Sequence, residues 1–396
     1  AFEKSALTRL EKLPTDIFES VEEGSKKIAC DIAKVIREKQ QTGRNCVLAL
    51  PGGDSPRVVY SELVRMHKEE GLSFNNVVVF NLYEYYPLAA DAINSNLNEL
   101  KEMLLDHVDI APANIYSPDT TMPQDSIFEH CAEYEQKIKE VGGLDIALLG
   151  IGRLGNVGFN EPGSRQNSTT RLILLDSTSH KEASKIFGSV EKTPISSITM
   201  GMGTILAANK IYLMAWGEEK AAVIKATVEG EVSDVTPATF LQTHNNTFVV
   251  TDLAAADSLT RIKHPWLVTS CDWNEKLIRS AIVWLCQVVN KPILKLTNKD
   301  YNENGLSELL ALYGSAYNVN IKIFNDLQRT ITGWPGGKPN ADDTYRPERA
   351  TPFPKRVIVF SPHPDDDVIS MGGTLRRLVE QGHDVHVAYQ TSGNIA

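Results

Sequence analysis

LDIALLGIGRLGNVGFNEP, residues 144–162, is the stretch on which the fold of this chain turns. Leu144 to Leu149 hold one carboxylate among apolar side chains, the composition of a strand covered on both faces in a parallel sheet. At Gly150 the run opens into a loop spaced by glycines that ends on a single acid, Glu161. A strand ending in backbone amides and one carboxylate suits a small phosphorylated ligand better than a dinucleotide.

Outward from this strand, apolar runs alternate with helical patterns from residue 28 to about 252, the signature of an α/β fold with a mostly parallel sheet flanked by helices. The strands are expected at Val47–Leu50, Val77–Asn81, Asp145–Leu149, Arg171–Leu175, Ile211–Ala215 and Phe248–Thr251. Ile28, Ile32, Val35 and Ile36 recur at helical spacing. Ser126 with Glu129 reads as a capping box before a helix ending near Gly142-Gly143, and Lys220 falls early in a helix from Glu218 to Glu229.

Residues 1–265 form the first domain on this reading. Residues 266–332 read as a connecting region of mixed structure, with helices over Asn274–Val289 and near Leu306–Tyr313. Five prolines and little periodicity mark 333–355 as an extended linker. From 356 to 396 a strand, a helix and a second strand open another α/β unit, expected to be incomplete within this chain.

The 396 residues are 42% hydrophobic with a net charge of -10, which allows a sizeable core and argues against a nucleic-acid backbone as partner. Five scattered cysteines without a CxxC pair indicate reduced thiols, mostly in the core. The longest apolar run, Ala281–Val289, is far short of a membrane span, so a cytoplasmic protein with no membrane partner is expected.

The segment LALPGGDSP (48–56) turns from strand to helix through Gly52 and Gly53, presenting amides that can cradle a phosphate; it lacks the GxxxxGK[ST] of a P-loop. With it, in order, come FNLYEYY (80–86), GIGRLGNVGFNEPGS (150–164), STTR (168–171), TMGMGT (199–204) and GEEKAAVIKATVEG (217–230). This series resembles the glucosamine-6-phosphate deaminases over residues 28–265. The resemblance implies a Rossmann-like fold with the sugar phosphate at the carboxyl ends of the strands, no cofactor, and conversion of glucosamine 6-phosphate and water to fructose 6-phosphate and ammonia. It places the phosphate on Gly52, Gly53, Asp54, Ser55, Arg171 and Lys220, a set whose amides, guanidinium fork and ammonium suit a dianion. Asp54 stands where the family has a small neutral residue, and it could cap the following helix. Family members differ in assembly, and the reading leans towards a homo-oligomer.

The catalytic candidates carried over are Glu161, Tyr83, Glu84 and Asn156. Tyr83 occupies the position of the family's aspartate base, and a phenol of pKa ~10 is a poor base at neutral pH. Glu84 is next to it, but neighbours on an extended segment face opposite sides. Leu154 and Asn156 replace the aspartate and histidine of the family's ring-opening set, of which Glu161 remains. Each lost acid or base commonly costs ~10²- to 10⁴-fold in rate. Three outcomes stay open: altered chemistry on an amino-sugar phosphate, a non-catalytic sugar-phosphate sensor or scaffold, and retained deamination.

Near the other end, SPHPDDDVISMGG (361–373) places His363, Asp365 and Asp366 after a strand, where a histidine and carboxylates can hold zinc and activate its water. The motif resembles that of PIG-L-like (LmbE-like) N-acetylglucosaminyl deacetylases. That resemblance implies zinc in the full-length protein, with His363 and Asp366 as ligands and Asp365 as general base; Asp367 replaces the usual glutamate. The family's third ligand is a later histidine, but His383 and His386, three apart on a strand, face opposite sides and read as structural.

Overall fold

Alternation within β2 (Cys46–Leu50) explains the main architecture. Val47 and Ala49 join one buried cluster, while Cys46, Leu48 and Leu50 join another, so the strand is apolar on both faces. The same holds for β3 (Val77–Asn81), β6 (Ile146–Leu149) and β9 (Lys210–Ala215). With β1 (Thr15–Phe18), β5 (Ile115–Tyr116) and β10 (Thr247–Asp252) they form a seven-stranded sheet ordered β1-β10-β9-β6-β2-β3-β5, every pair parallel. This computed structural model describes residues 5–331 and 354–393.

Helices cover both faces. Ile28, Ile32 and Ile36 of α1 (Val21–Gln41) and Val59, Leu63 and Met66 of α2 (Arg57–Glu70) pack on one side. Tyr134 and Ile138 of α4 (Gln124–Glu140) and Ile224 and Val228 of α7 (Ala221–Glu229) pack on the other. Burying one such isoleucine or leucine contributes ~1.5–3 kcal/mol. Between them in sequence, α3 (Asn96–Met103), α5 (Ser177–Phe187) and α6 (Met202–Leu206) lie near the loops that matter below.

Two local expectations need correction. The segment Arg171–Leu175 is not a strand of the parallel sheet. As β7 (Arg171–Leu174) it pairs antiparallel with β8 (Ser196–Thr199), which also pairs with β4 (Tyr83–Tyr86), in a separate three-stranded sheet. Its side chains are half-buried or exposed, so the apolar RLIL run was a one-sided strand. Ser126 does not cap α4: the helix begins at Gln124 behind Pro123, whose fixed φ already suits helix entry.

The chain divides into two units after Thr269, beyond the residue 265 read from the sequence. In the second unit, residues 270–331 are helical rather than mixed, with helices at Glu275–Val289, Asn298–Glu303, Ser307–Tyr313 and Ala316–Ile331 and no strand. The linker expected at 333–355 lies outside the described residues apart from Pro354 and Lys355. Beyond it, β11 (Arg356–Ser361), a helix over Asp366–Glu380 and β12 (Asp384–Tyr389) make a parallel βαβ unit. Among the described residues no helix is long and apolar enough to cross a membrane.

Candidate functional site

The parallel sheet is built in both directions from its centre: β3 and β5 extend it on one side of β2, and β6, β9, β10 and β1 on the other. Loops leaving the carboxyl ends of β2 and β6 therefore diverge and leave a crevice, the place where open α/β sheets hold ligands. A cavity of about 250 Å³ opens there, with Pro51–Pro56 after β2 and Gly150, Ile151, Gly152, Asn156, Gly158 and Phe159 after β6 in its wall. Gly150, Gly152 and Gly155 have the G-x-G-x-x-G spacing of a dinucleotide site, but no helix starts there; the chain passes through turns and strand β7 before the next helix, α5. The preference for a small ligand thus rests on the missing helix.

At the glycine turn, Gly53 has φ +84°, a left-handed conformation that a Cβ would strain. Gly52 admits no Cβ because one would sit 2.1 Å from Asn96 Oδ1. The Gly53 N–H donates to Glu99 Oε2 of α3 at 2.9 Å, whereas among the described residues the amides of Asp54 and Ser55 have no protein acceptor. Asp54 does not cap α2, whose first turn has no side-chain cap; its side chain is 94% exposed and pairs with Arg57 at 3.0 Å.

The small sheet supplies the opposite wall. Tyr83 and Tyr85 line the cavity with Leu82, and Tyr83 meets Phe159 edge-on with centroids 4.6 Å apart. Burial pushes the Tyr83 phenol well above its ordinary range, aided by the nearby Tyr85, Glu99 and Glu84. Glu84 does not reach the cavity. It is buried the other way, accepting from the Asn96 and Leu97 amides at 2.8 and 2.9 Å and from Tyr85 N–H and Asn81 Nδ2. Burial raises its pKa, and those four donors oppose the rise.

Asn156 lines the cavity and donates to the Gly158 carbonyl at 3.3 Å. Glu161 does not line it: Oε2 accepts the Asp176 N–H at 2.6 Å at the start of α5. Burial raises its pKa, against which the Ser179 hydroxyl and the Asp176 amide act. From α5 itself, Ser179, Glu182, Ala183 and Ile186 face the cavity at i, i+3, i+4 and i+7.

Arg171 and Lys220 stand behind the wall. Arg171 donates to Asn160 Oδ1 at 2.8 Å, Ser164 Oγ at 3.2 Å and the Thr169 carbonyl. Lys220 Nζ donates to the Ile151 carbonyl at 2.8 Å. Neither forms an ion pair among the described residues, and burial lowers the pKa of both. By contrast, Arg153 on the same loop is taken by Glu182 at 3.3 Å and Glu219 at 2.8 Å.

The structure thus brings Gly52, Gly53, Asp54, Ser55, Tyr83 and Asn156 to one cavity, sets Arg171, Lys220 and Glu161 behind it, and turns Glu84 away. Sequence reasoning missed Tyr85, Phe159, Ser179, Glu182 and Glu99. The α5 residues had a legible signal in their helical spacing; Glu99 had none, because its role depends on where α3 lies.

In the second unit, His363 Nδ1 lies 3.0 Å from Asp366 Oδ2, and Asp365 precedes the helix. Asp367 is buried, within reach of Ser361 and of Tyr389 OH at 3.2 Å. His383 is buried with Nδ1 accepting the Lys355 N–H, and His386 pairs with Asp384. Among the described residues no three His, Cys, Asp or Glu side chains converge for a metal, and a zinc site needs three or four protein ligands. His363 and Asp366 would be two of them; the set is too small to support a step through zinc.

Comparison with known proteins agrees with this layout. The family model for glucosamine-6-phosphate isomerases/6-phosphogluconolactonase matches residues 19–250, and that for GlcNAc-PI de-N-acetylase matches 358–396. A glucosamine-6-phosphate deaminase-like protein of Bacteroides thetaiotaomicron is 77% identical over the whole chain, which spans 60% of that protein's length. Glucosamine-6-phosphate deaminase of Halothermothrix orenii is 41% identical over 61% of this chain and 98% of its own. Among solved structures, a monomeric glucosamine-6-phosphate deaminase superposes with TM-score 0.59 at 34% identity, over 62% of this chain and all of its own. A 6-phosphogluconolactonase from Trypanosoma brucei, at 20% identity and TM-score 0.52 over 63% of this chain and 99% of its own, shares the fold.

Proposed function

Because this chain belongs to the glucosamine-6-phosphate isomerase/6-phosphogluconolactonase family, we propose that its first unit binds a hexosamine 6-phosphate at the crevice between β2 and β6 without deaminating it. The observation that carries the reading is the pair Arg171 and Lys220, two partly buried cations bonded only to neutral oxygens. A desolvated cation with no carboxylate in contact is stabilised by an arriving anion, and Glu219 and Glu182 act on Lys220 only from beyond ion-pair distance. The amides of Asp54 and Ser55 add donors at a helix-entry turn.

The same site is poor in proton carriers. Tyr83 is held in its neutral form, Leu154 and Asn156 do not titrate, Glu84 is saturated by backbone donors, and Glu161 is engaged at α5. A binding unit of this kind would report or hold an amino-sugar phosphate for the de-N-acetylase-like unit beside it in the sequence. Altered proton chemistry on the same ligand is the second reading, favoured by Glu182, a carboxylate in the cavity wall; ammonia-free turnover lost in Glu182→Gln would support it.

Calorimetry with glucosamine 6-phosphate, run beside an ammonia-release assay, tests the proposal. Saturable binding with no ammonia is the expected result. Ammonia release at enzymatic rates overturns the non-catalytic reading, and no heat of binding overturns the site.

A further inference from the structure

Glu99 sits where an anion cradle should have no acid. Its Oε2 holds the Gly53 N–H at 2.9 Å and would lie 3.0 Å from a Cβ on Gly52, so the carboxylate backs directly on the turn. It does not line the cavity; it lines the groove between α2 and α3 on the other side, with Arg57, Ser61 and Lys68. The Gly53 amide is therefore directed away from the ligand crevice. Asn96, one turn earlier on α3, packs against Gly52 and bonds Asn81 Oδ1 at 2.7 Å, which fixes α3 against the end of β3.

We propose that Glu99 is a positioning residue for the phosphate turn: by accepting the Gly53 N–H it locks the left-handed turn so that the Asp54 and Ser55 amides alone face the anion. Its charge, a few ångströms behind the cradle, opposes the ligand and weakens binding. The two effects have opposite signs, and both rest on the sugar-phosphate reading above. An amide side chain would keep the acceptor and discard the charge, while a thioether of similar length would discard both.

Glucosamine 6-phosphate binding is measured by calorimetry on the full chain, Glu99→Gln and Glu99→Met, each checked for an unchanged melting temperature, with glucosamine as the phosphate-free control. Glu99→Gln is expected to bind roughly 3- to 10-fold more tightly than wild type. Glu99→Met is expected to bind about 5-fold more weakly than Glu99→Gln, the effect of a lost charge-free acceptor. Glucosamine affinity should not move. Equal affinities for the Gln and Met variants overturn the positioning role, and a Gln variant no tighter than wild type overturns the charge effect. If wild type binds glucosamine but shows no preference for its phosphate, the sugar-phosphate reading falls and takes this one with it.

Discussion

Tyr83 and Arg171 stand in one row of the three-stranded sheet, each directly opposite Thr199. Residues opposed in this way put their side chains on the same face, so the phenol and the guanidinium flank one threonine. Thr199 Oγ1 in turn accepts the Phe159 N–H at 3.1 Å, tying the glycine loop to that row. The register of the small sheet thus sets Tyr83, a residue of the cavity wall, beside Arg171.

Restoring an aspartate at that row should not restore chemistry by itself. Tyr83→Asp would trade the ring packed on Phe159 for a carboxylate in the same desolvated place, destabilising the fold by ~2–4 kcal/mol. Ammonia release is expected to stay absent in this variant and to emerge only when Leu154→Asp and Asn156→His are added. Denaturant melts and a coupled ammonia assay check both halves; turnover by Tyr83→Asp alone would contradict the argument.

Removing either unpaired cation should weaken the phosphate selectively. Arg171→Met and Lys220→Met are each expected to lose ~10- to 100-fold in affinity for glucosamine 6-phosphate, corresponding to one charge-assisted hydrogen bond of ~1.5–3 kcal/mol. Arg171→Lys should recover part of the loss, because a point charge remains but the planar fork does not. Titration calorimetry reads all three.

The pH dependence follows from Lys220. Burial lowers its pKa below the ordinary lysine value of 10.5, so in the alkaline window beneath that value the unfolded chain binds more protons than the folded one. Stability from this group therefore rises with pH across the window. Ligand affinity does the reverse, falling as pH climbs through the lowered pKa and the ammonium is lost. It also falls below pH ~6, where the phosphate becomes a monoanion. Affinities from pH 5 to 10 should show both limbs, and Lys220→Met should lack the alkaline one.

Glu161→Gln should leave the protein at least as stable at pH 7, by no more than ~1 kcal/mol given solvent screening of a half-buried group. The amide oxygen can still accept the Asp176 N–H. The carboxyl pKa is raised in the fold, so the wild-type group stabilises below its ordinary value of 4.5 and that contribution is lost as pH rises through the folded pKa. Melting curves from pH 4 to 7 should be flatter for the variant.

Strands β2, β3, β6, β9 and β10 of the parallel sheet were readable because they are apolar on both faces, and the glycine turn because its residues announce a close backbone approach; the short, partly buried edge strands β1 and β5 were not read. Position 83 was readable as a departure from a motif. What the sequence hid was the separate sheet itself: β7 reads as one more core strand although its side chains are half-buried or exposed, and β8, polar at three of its four positions, is nonetheless almost wholly buried. It hid Glu99 as well, since a carboxylate's role there is set by the packing of α3 on a turn more than forty residues away, through the contact between Asn96 and Gly52.

The sheet grows in both directions from the neighbours β2 and β6, and three proton-transfer positions that depart from the deaminase pattern lie outside it, Tyr83 on β4 and Leu154 and Asn156 in the loop after β6. Substitutions at these positions therefore change the proton chemistry of the crevice without touching the strands that build the core, which is how the proposed binding unit would keep a ligand site without the reaction.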